Sequence, residues 1–368
     1  MKLSEIPTPA LVLDRRILER NVAAMAEALA RHRVMPRPHL KTAKSIDVAR
    51  LVLGGTESAI TVSTLAEAEY FAAHGIKDIL YAVGITPEKL ARVAKINEAG
   101  ADIAVITDDL DAAAAIRAHP APIRALIEID SGEGRAGVLP KGPELLTIGE
   151  ALGPRLAGVI THAGHSYGAR DAAGRAAIAA AEREAVVEAA ERLRAGGREV
   201  GIVSMGSSPT ALAASTYEGV TEVRAGVYMF GDLFQAEIGT HGLHDIAVTV
   251  IASVIGKRPD RHQFLIDAGA IALSKDRSTE ATPHDYGFGL VRGLGDARNF
   301  GTAIVRRAYQ EHGVVACDPA LAFPALKVGD KVQVAPNHVC LTAAAHDRYF
   351  VTDDGETVAA VWPRIHGW

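Results

Sequence analysis

Arg37-Pro38-His39-Leu40-Lys41-Thr42-Ala43-Lys44 stands at the end of a short strand-like run and just before a helical pattern. A lysine placed there and buried enough to lose its proton is a neutral amine. Such an amine forms a Schiff base with an aldehyde. Lys41 is the candidate, with Lys44 as the second lysine of the segment; two solvated lysines on a turn is the plainer reading.

A second pattern is Pro336-Asn337-His338-Val339-Cys340. Residues i and i+2 of a strand face the same way, so His338 and Cys340 can bind one metal ion. Imidazole plus thiolate favours zinc, and manganese is compatible. Two protein ligands leave positions open for water or substrate, the catalytic pattern; a buried cysteine beside an unrelated histidine is the alternative. Gln310-Glu311-His312-Gly313 and His284-Asp285 add polar groups nearby in sequence, which read equally as solvated loop residues.

A third pattern, Gly206-Ser207-Ser208-Pro209, leads into a helix. Free N–H groups at a helix start, with hydroxyls beside them, make an anion site. A plain serine N-cap is the equal alternative. Gly226 in the following element can bring a second set of N–H groups to the same anion.

The elements that must position these residues alternate along the first two thirds of the chain. Ala10–Asp14 is a short apolar strand, and Asp14 can cap a helix whose apolar face is Leu18, Val22, Met25 and Leu29. Strands are expected at 36–42, 59–63, 78–83, 102–107, 124–130, 157–163, 200–206 and 222–229. Helices are expected at 44–53, 64–74, 87–98, 109–118, 143–152, 171–195 and 209–217. Near-continuous apolar runs such as Ile103-Ala104-Val105-Ile106 fit strands covered on both faces, as in a parallel sheet. Eight successive units of this kind predict a (β/α)8 TIM-type barrel; an open doubly wound sheet ranks second, since no Gly-x-Gly-x-x-Gly follows the first strand.

Beyond residue 235 the texture changes to strand-like runs at 246–255, 263–267, 302–308, 330–335 and 348–352, with a hairpin turning at Asp354-Gly355 into 357–361. The expected division is a barrel over 1–235, whose first residues are candidates to pair with the second domain, and a smaller C-terminal β domain over 236–368. The segment 275–300, rich in Gly, Asp and Arg, is expected to be a long substrate-facing loop. Arg277 within it is a candidate partner for an acidic side chain, an ordinary exposed arginine being the simpler reading.

Chemistry in a barrel gathers at the C-terminal ends of its strands. Those ends carry Lys41-Thr42, Asp130 through Arg135, His162-Ala163-Gly164-His165-Ser166-Tyr167, Met205-Gly206-Ser207-Ser208 and Arg224-Ala225-Gly226-Val227. A Schiff-base lysine, an anion cradle and a pair of arginines at one barrel mouth point to pyridoxal phosphate.

Composition narrows the classes further. The chain has 368 residues and a net charge of −5, so no basic surface marks nucleic acid. No apolar run reaches membrane-spanning length and no signal-peptide core begins the sequence. Two cysteines, Cys317 and Cys340, indicate no disulfide framework, and a cytoplasmic setting is expected.

Thr8 through Asp14, Arg37 through Thr42, Glu128-Ile129-Asp130-Ser131-Gly132 through Arg135-Ala136-Gly137, and Asn337 through Cys340 resemble the D-serine dehydratase and D-threonine aldolase family. These are fold-type III pyridoxal-phosphate enzymes related to alanine racemase. The resemblance runs across nearly the whole chain. It implies a barrel plus β domain, a homodimer with the site completed at the domain interface, and Lys41 as the Schiff-base lysine. It implies Arg135 against the cofactor ring oxygen and Arg224 against the pyridine nitrogen. Gly206, Ser207, Gly226 and Val227 would hold the phosphate. Tyr167 and His162 would be substrate-side acid/base groups, with Tyr167 also beside the cofactor. His338 and Cys340 match the metal pair, for Zn2+ or Mn2+.

Two departures bear on the reaction. The family often reads Lys-Thr-His-Lys, and Ala43 stands here in place of that histidine. The aldolase branch often has His-x-Asp at the metal, so His338-x-Cys340 leans toward the dehydratase branch, as does His162 through Tyr167. The expected reaction is loss of water from a D-3-hydroxy amino acid, such as D-serine, D-threonine or D-3-hydroxyaspartate. Lys41 would take the Cα proton and the metal would activate the β-hydroxyl. The alternative is retro-aldol cleavage to glycine and an aldehyde, with His162 as base. An amino-acid racemase or a cofactor carrier ranks below both.

Overall fold

The computed structural model describes residues 1–55, 59–295 and 301–368. The chain divides into two compact units, one of residues 24–226 with 365–368 and one of residues 1–23 with 227–364. The changeover thus falls at Gly226/Val227, ahead of the expected boundary at 235.

The chain begins with β1 (Ala10–Asp14) and α1 (Arg15–Ala30), which leads into the first of these units. That unit continues with β2 (Met35–Pro36), α2 (Ile46–Val52), β3 (Ile60–Val62), α3 (Leu65–Ala73), β4 (Asp78–Gly84) and α4 (Leu90–Glu98). It goes on through β5 (Asp102–Thr107), α5 (Leu110–Ala118), β6 (Arg124–Ile129), α6 (Pro143–Leu152), β7 (Leu156–Thr161) and α7 (Ala172–Ala195). It ends with β8 (Ile202–Met205), α8 (Ser208–Ala213) and β9 (Glu222–Val223). The eight strands β2 to β9 form one sheet in the order β2-β9-β8-β7-β6-β5-β4-β3, and every paired neighbour is parallel. Its ends meet through a parallel bridge between His39 and Thr61, with Leu40 N–H donating to the Thr61 carbonyl and Thr61 N–H to the Pro38 carbonyl, both at 2.9 Å. This is the TIM-type barrel that the alternating pattern predicts.

The apolar runs behave as strands covered on both faces. Leu80, Ala104, Ile106, Leu126 and Ile160 pack into one buried cluster, while Ile103, Val105 and Ile127 are buried as well. Strand-to-helix turns are set by side-chain caps. Thr64 accepts from Glu67 N–H at 3.0 Å, Asp109 from Ala112 at 2.8 Å and Asp171 from Gly174 at 2.7 Å. Expected strands 36–42 and 222–229 are each cut to two residues. After β2 the chain breaks at Pro38, and after β9 it turns at Gly226 into a 3-10 turn at Val227–Met229.

The other unit contains α9 (Leu233–Glu237), β10 (Val248–Arg258), β11 (Gln263–Ile266), α10 (Ala270–Leu273), β12 (Leu290–Gly293) and β13 (Ile304–Ala308). It continues with β14 (Gly313–Ala316), β15 (Lys331–Ala335), α11 (Val339–Ala343), β16 (Arg348–Thr352) and β17 (Ala360–Pro363). Nine strands join in the order β11-β14-β13-β12-β15-β10-β1-β16-β17. β1 lies between β10, antiparallel, and β16, parallel, so the N-terminal residues do pair with the C-terminal β domain. Strands β12 and β14 escape sequence reading. Leu290-Val291 is a short apolar pair set among Gly287, Gly289 and Gly293, a texture that reads as loop, yet β12 pairs with β15 over four residues. The expected loop 275–300 is therefore interrupted by a strand, and its residues 296–300 lie outside the described residues.

Candidate active site

A cavity of about 360 Å³ opens within the barrel unit, at the strand ends where chemistry was expected. Lys41, Arg135, Arg224, His39 and His162 line it together with Glu128, Ser63 and Thr161. Of the barrel residues marked by sequence, it gathers Lys41, Arg135, His162 and Arg224. Tyr167, Gly206, Ser207 and Gly226 do not line it.

Lys41 sits on the turn after β2 and is exposed. The burial expected of it is therefore not met, because the turn delivers the side chain into an open cavity instead of a packed core. The two lysines separate cleanly. Lys44 Nζ is 3.2 Å from Oε1 of the buried Glu67, whose Oε2 accepts from Ser63 N–H at 2.9 Å. Lys44 is thus a structural cation, and Lys41 is the amine that faces the cavity.

Arg224 is 4% exposed. Its Nε donates to Ser204 Oγ at 2.9 Å and its Nη2 to the Thr161 carbonyl. Burial pulls its pKa down, while Glu182, Glu222 and Glu128 act the other way. Arg135, by contrast, is exposed, with Glu128 Oε1 at 3.8 Å and Glu133 Oε1 at 3.7 Å. Burial raises the pKa of Glu128, and Arg135 opposes that rise.

His162 follows β7. Its Nδ1 lies 2.9 Å from the Gly206 carbonyl, which can only accept. Nδ1 therefore carries the proton and Nε2 keeps a lone pair. Burial lowers the pKa of His162 to about 3, Gly206 pulls the other way, and Arg224, Lys41 and Arg135 lower it further. A neutral imidazole held this way presents Nε2 as a hydrogen-bond acceptor. His39 is kept neutral in the same way, by burial and then by Lys41 and Arg224.

The Gly206-Ser207 turn turns out to be a helix cap. Ser207 Oγ accepts from Thr210 N–H at 3.2 Å and Ser207 N–H donates to Thr210 Oγ1 at 3.0 Å. Gly206 N–H goes to Glu182 Oε1 at 3.1 Å. Both N–H groups are thus committed inside the protein. Gly206 has φ +132° and an added Cβ would lie 2.3 Å from the Arg224 carbonyl oxygen. Gly226 is also confined, with a Cβ 2.8 Å from the His39 carbonyl oxygen. These glycines let three backbone segments approach at the barrel mouth. Val227 opens the 3-10 turn that begins the other unit, and Tyr167 lies in a 3-10 turn at Gly164–Gly168, half-buried.

His338 and Cys340 are not on a strand. His338 is the N-cap residue of α11 and Cys340 lies in its first turn. The two side chains still interact. His338 Nδ1 is 2.8 Å from Asp276 Oδ2. A carboxylate–histidine contact of this kind is typical of metal-binding histidines. Asp276 was missed in sequence because it is sixty-two positions away. Glu311 and His312 join no such cluster. His284 Nδ1 lies 3.2 Å from Glu237 Oε1, and Arg277 pairs with Asp285 at 2.6 Å, which removes it as an uncommitted cation. Among the described residues no group of three or more His, Cys, Asp or Glu side chains is assembled as a metal cage.

Comparison with known proteins gives these features a family. A model of the alanine racemase N-terminal domain matches residues 13–233, and one described as a putative serine dehydratase domain matches residues 247–352. D-threo-3-hydroxyaspartate dehydratase of Delftia sp. (strain HT23) is 42% identical, over 100% of this chain and 99% of its own. 3-Hydroxy-D-aspartate aldolase of Paracoccus denitrificans (strain Pd 1222) is 32% identical, over 99% of this chain and 92% of its own. A solved D-threo-3-hydroxyaspartate dehydratase, a cysteine-to-alanine variant in the metal-free form, superposes with a TM-score of 0.95 at 40% identity, covering 100% of both chains. The chain belongs to the D-serine dehydratase and D-threonine aldolase family of pyridoxal-phosphate enzymes, built on the alanine racemase fold.

No helix among the described residues is long and apolar enough to cross a membrane.

Proposed function

We propose that this chain is a pyridoxal-phosphate- and divalent-metal-dependent lyase that removes water from D-3-hydroxy amino acids, with D-threo-3-hydroxyaspartate as the preferred substrate, giving a 2-oxo acid and ammonia. The observation that carries it is the cavity in which Lys41 stands among Arg135, Arg224 and two neutral histidines, while Lys44 is held away by Glu67. The 42% identity to a dehydratase, against 32% to an aldolase, supports water loss over carbon–carbon cleavage.

The residues present fit the cofactor in volume and in charge: one reachable amine, and cations for an anionic ligand. Lys41 would hold it, with Arg135 and Arg224 on its polar edge. When bound, pyridoxal phosphate supplies an electron sink for the charge left at the substrate Cα. Lys41 Nζ receives the Cα proton. Arg224 can only donate hydrogen bonds, so beside the cofactor's ring nitrogen it would favour the unprotonated form of that nitrogen. Neutral His162 offers Nε2 as an acceptor toward the substrate hydroxyl, and Tyr167 is proposed as its acid/base partner. Gly206, Ser207, Gly226 and Val227 are proposed to frame the phosphate by the shape of their tight turns, the N–H groups of Gly206 and Ser207 being already used.

His338 and Cys340, with Asp276 behind His338, fit a two-donor metal site with open positions. We assign zinc or manganese to it. When bound, a divalent ion there would supply Lewis acidity. Relatives of this chain include a dehydratase whose cysteine variant is described as metal-free. A homodimer is proposed by analogy with the family.

Incubation of the loaded enzyme with D-threo-3-hydroxyaspartate, D-serine and D-threonine, with 2-oxo acid measured in each, tests this reading. Water loss from the first at the highest kcat/KM supports it; no 2-oxo acid from any of the three refutes it.

A further inference from the structure

Glu182 is a fully buried carboxylate on α7, a helix of the barrel's outer layer. One of its oxygens, Oε1, accepts two backbone N–H groups: Ala163 at 2.9 Å and Gly206 at 3.1 Å. These residues lie just past the ends of β7 and β8. The carbonyl of the same Gly206 receives the Nδ1 proton of His162 at 2.9 Å. A buried carboxylate is costly to keep, and a packed apolar side chain is often as stable or more so. Burial raises its pKa, while the Thr210 hydroxyl, the two N–H groups and Arg224 offset part of that. The group is spent at the ends of β7 and β8, and one of the two turns it holds carries the cavity residue His162.

We propose that Glu182 is a positioning residue. It ties the turns after β7 and β8 to one atom, and through Gly206 it holds His162 as the Nδ1–H tautomer with Nε2 available to the substrate. The glycine completes the lock, because no side chain fits where its Cβ would meet Arg224. The proposal rests on the reading of His162 as a substrate-side group.

The test uses Glu182→Ala, Glu182→Asp and Glu182→Gln in cofactor-loaded enzyme with 15N-labelled histidine, the His162 signals being assigned by their loss in His162→Asn. The aspartate is too short to reach both N–H groups, whereas the glutamine keeps Oε1 in place. In Glu182→Ala and Glu182→Asp kcat falls about 100-fold, the scale of a small misplacement of a reacting group, with KM little changed. Their His162 ring nitrogens show a mixture of tautomers. Glu182→Gln restores most of kcat and the single Nδ1–H tautomer. An unchanged tautomer in Glu182→Ala and Glu182→Asp overturns the proposal, and where the alanine variant does not fold the aspartate variant decides. Wild-type turnover by His162→Asn would remove the catalytic reading of His162, while the tautomer signal still decides the role of Glu182.

Discussion

His162 and Gly206, forty-four residues apart in sequence, are joined by an Nδ1–H···O bond of 2.9 Å across the ends of neighbouring strands. The bond fixes which nitrogen of the imidazole is protonated, and burial, reinforced by the surrounding cations, keeps the ring neutral. Three consequences of this barrel mouth and two of the metal site and reaction can be measured.

The acid stability of the cofactor-free protein reports on His162. Its folded pKa is about 3 against an ordinary value of 6.5. Between those values the unfolded chain binds a proton that the folded one does not, so stability rises with pH through this window and falls as pH drops. At pH 5 the loss from this group is about 2 kcal/mol. His162→Asn keeps a donor for the Gly206 carbonyl but cannot titrate. Denaturant unfolding at pH 5 and pH 8 should show a smaller difference for the variant by about that amount. An equal difference would mean that His162 titrates normally.

The two lysines of the opening motif should give opposite phenotypes. Lys41→Ala abolishes turnover and the visible absorbance of lysine-bound cofactor. Lys44→Ala keeps that absorbance and loses about 2 kcal/mol of stability, because Glu67 is left buried without its cation. Absorbance spectra and denaturant curves of the two variants check this.

Gly206→Ala combines a left-handed backbone with a Cβ 2.3 Å from the Arg224 carbonyl oxygen. A loss of about 3 kcal/mol or more is expected, from strain and overpacking together. Thermal unfolding measures it, and a variant as stable as the parent would show that this turn tolerates a side chain.

Chelation, or Cys340→Ala, removes lyase activity and leaves the cofactor absorbance unchanged. Zn2+ or Mn2+ restores activity to the chelated parent. Full activity in a sample shown to be metal-free by elemental analysis would exclude the metal role.

Much of the barrel is legible because its strands are apolar runs and its helices begin at caps such as Asp109 and Asp171. The cavity side chains Lys41, Arg135, His162 and Arg224 are legible because they end those strands. Glu128 and His39 were in view within their motifs, but burial of a lone carboxylate or imidazole leaves no mark in sequence. Glu182 reads as one more charge on a long alanine-rich helix. Asp276 is joined to His338 only by folding, and His338-x-Cys340 reads as a strand although His338 caps a helix. Strand β12 is hidden by its glycines, whose backbone freedom looks like loop while the ladder to β15 supplies the order.

The most direct measurement is product identification by NMR with D-threo-3-hydroxyaspartate, pyridoxal phosphate and Zn2+ or Mn2+. Loss of water predicts oxaloacetate and ammonia in equal amounts, absent from the chelated control. Glycine and glyoxylate would show that the Cα–Cβ bond is cleaved instead, and would contradict the dehydratase assignment.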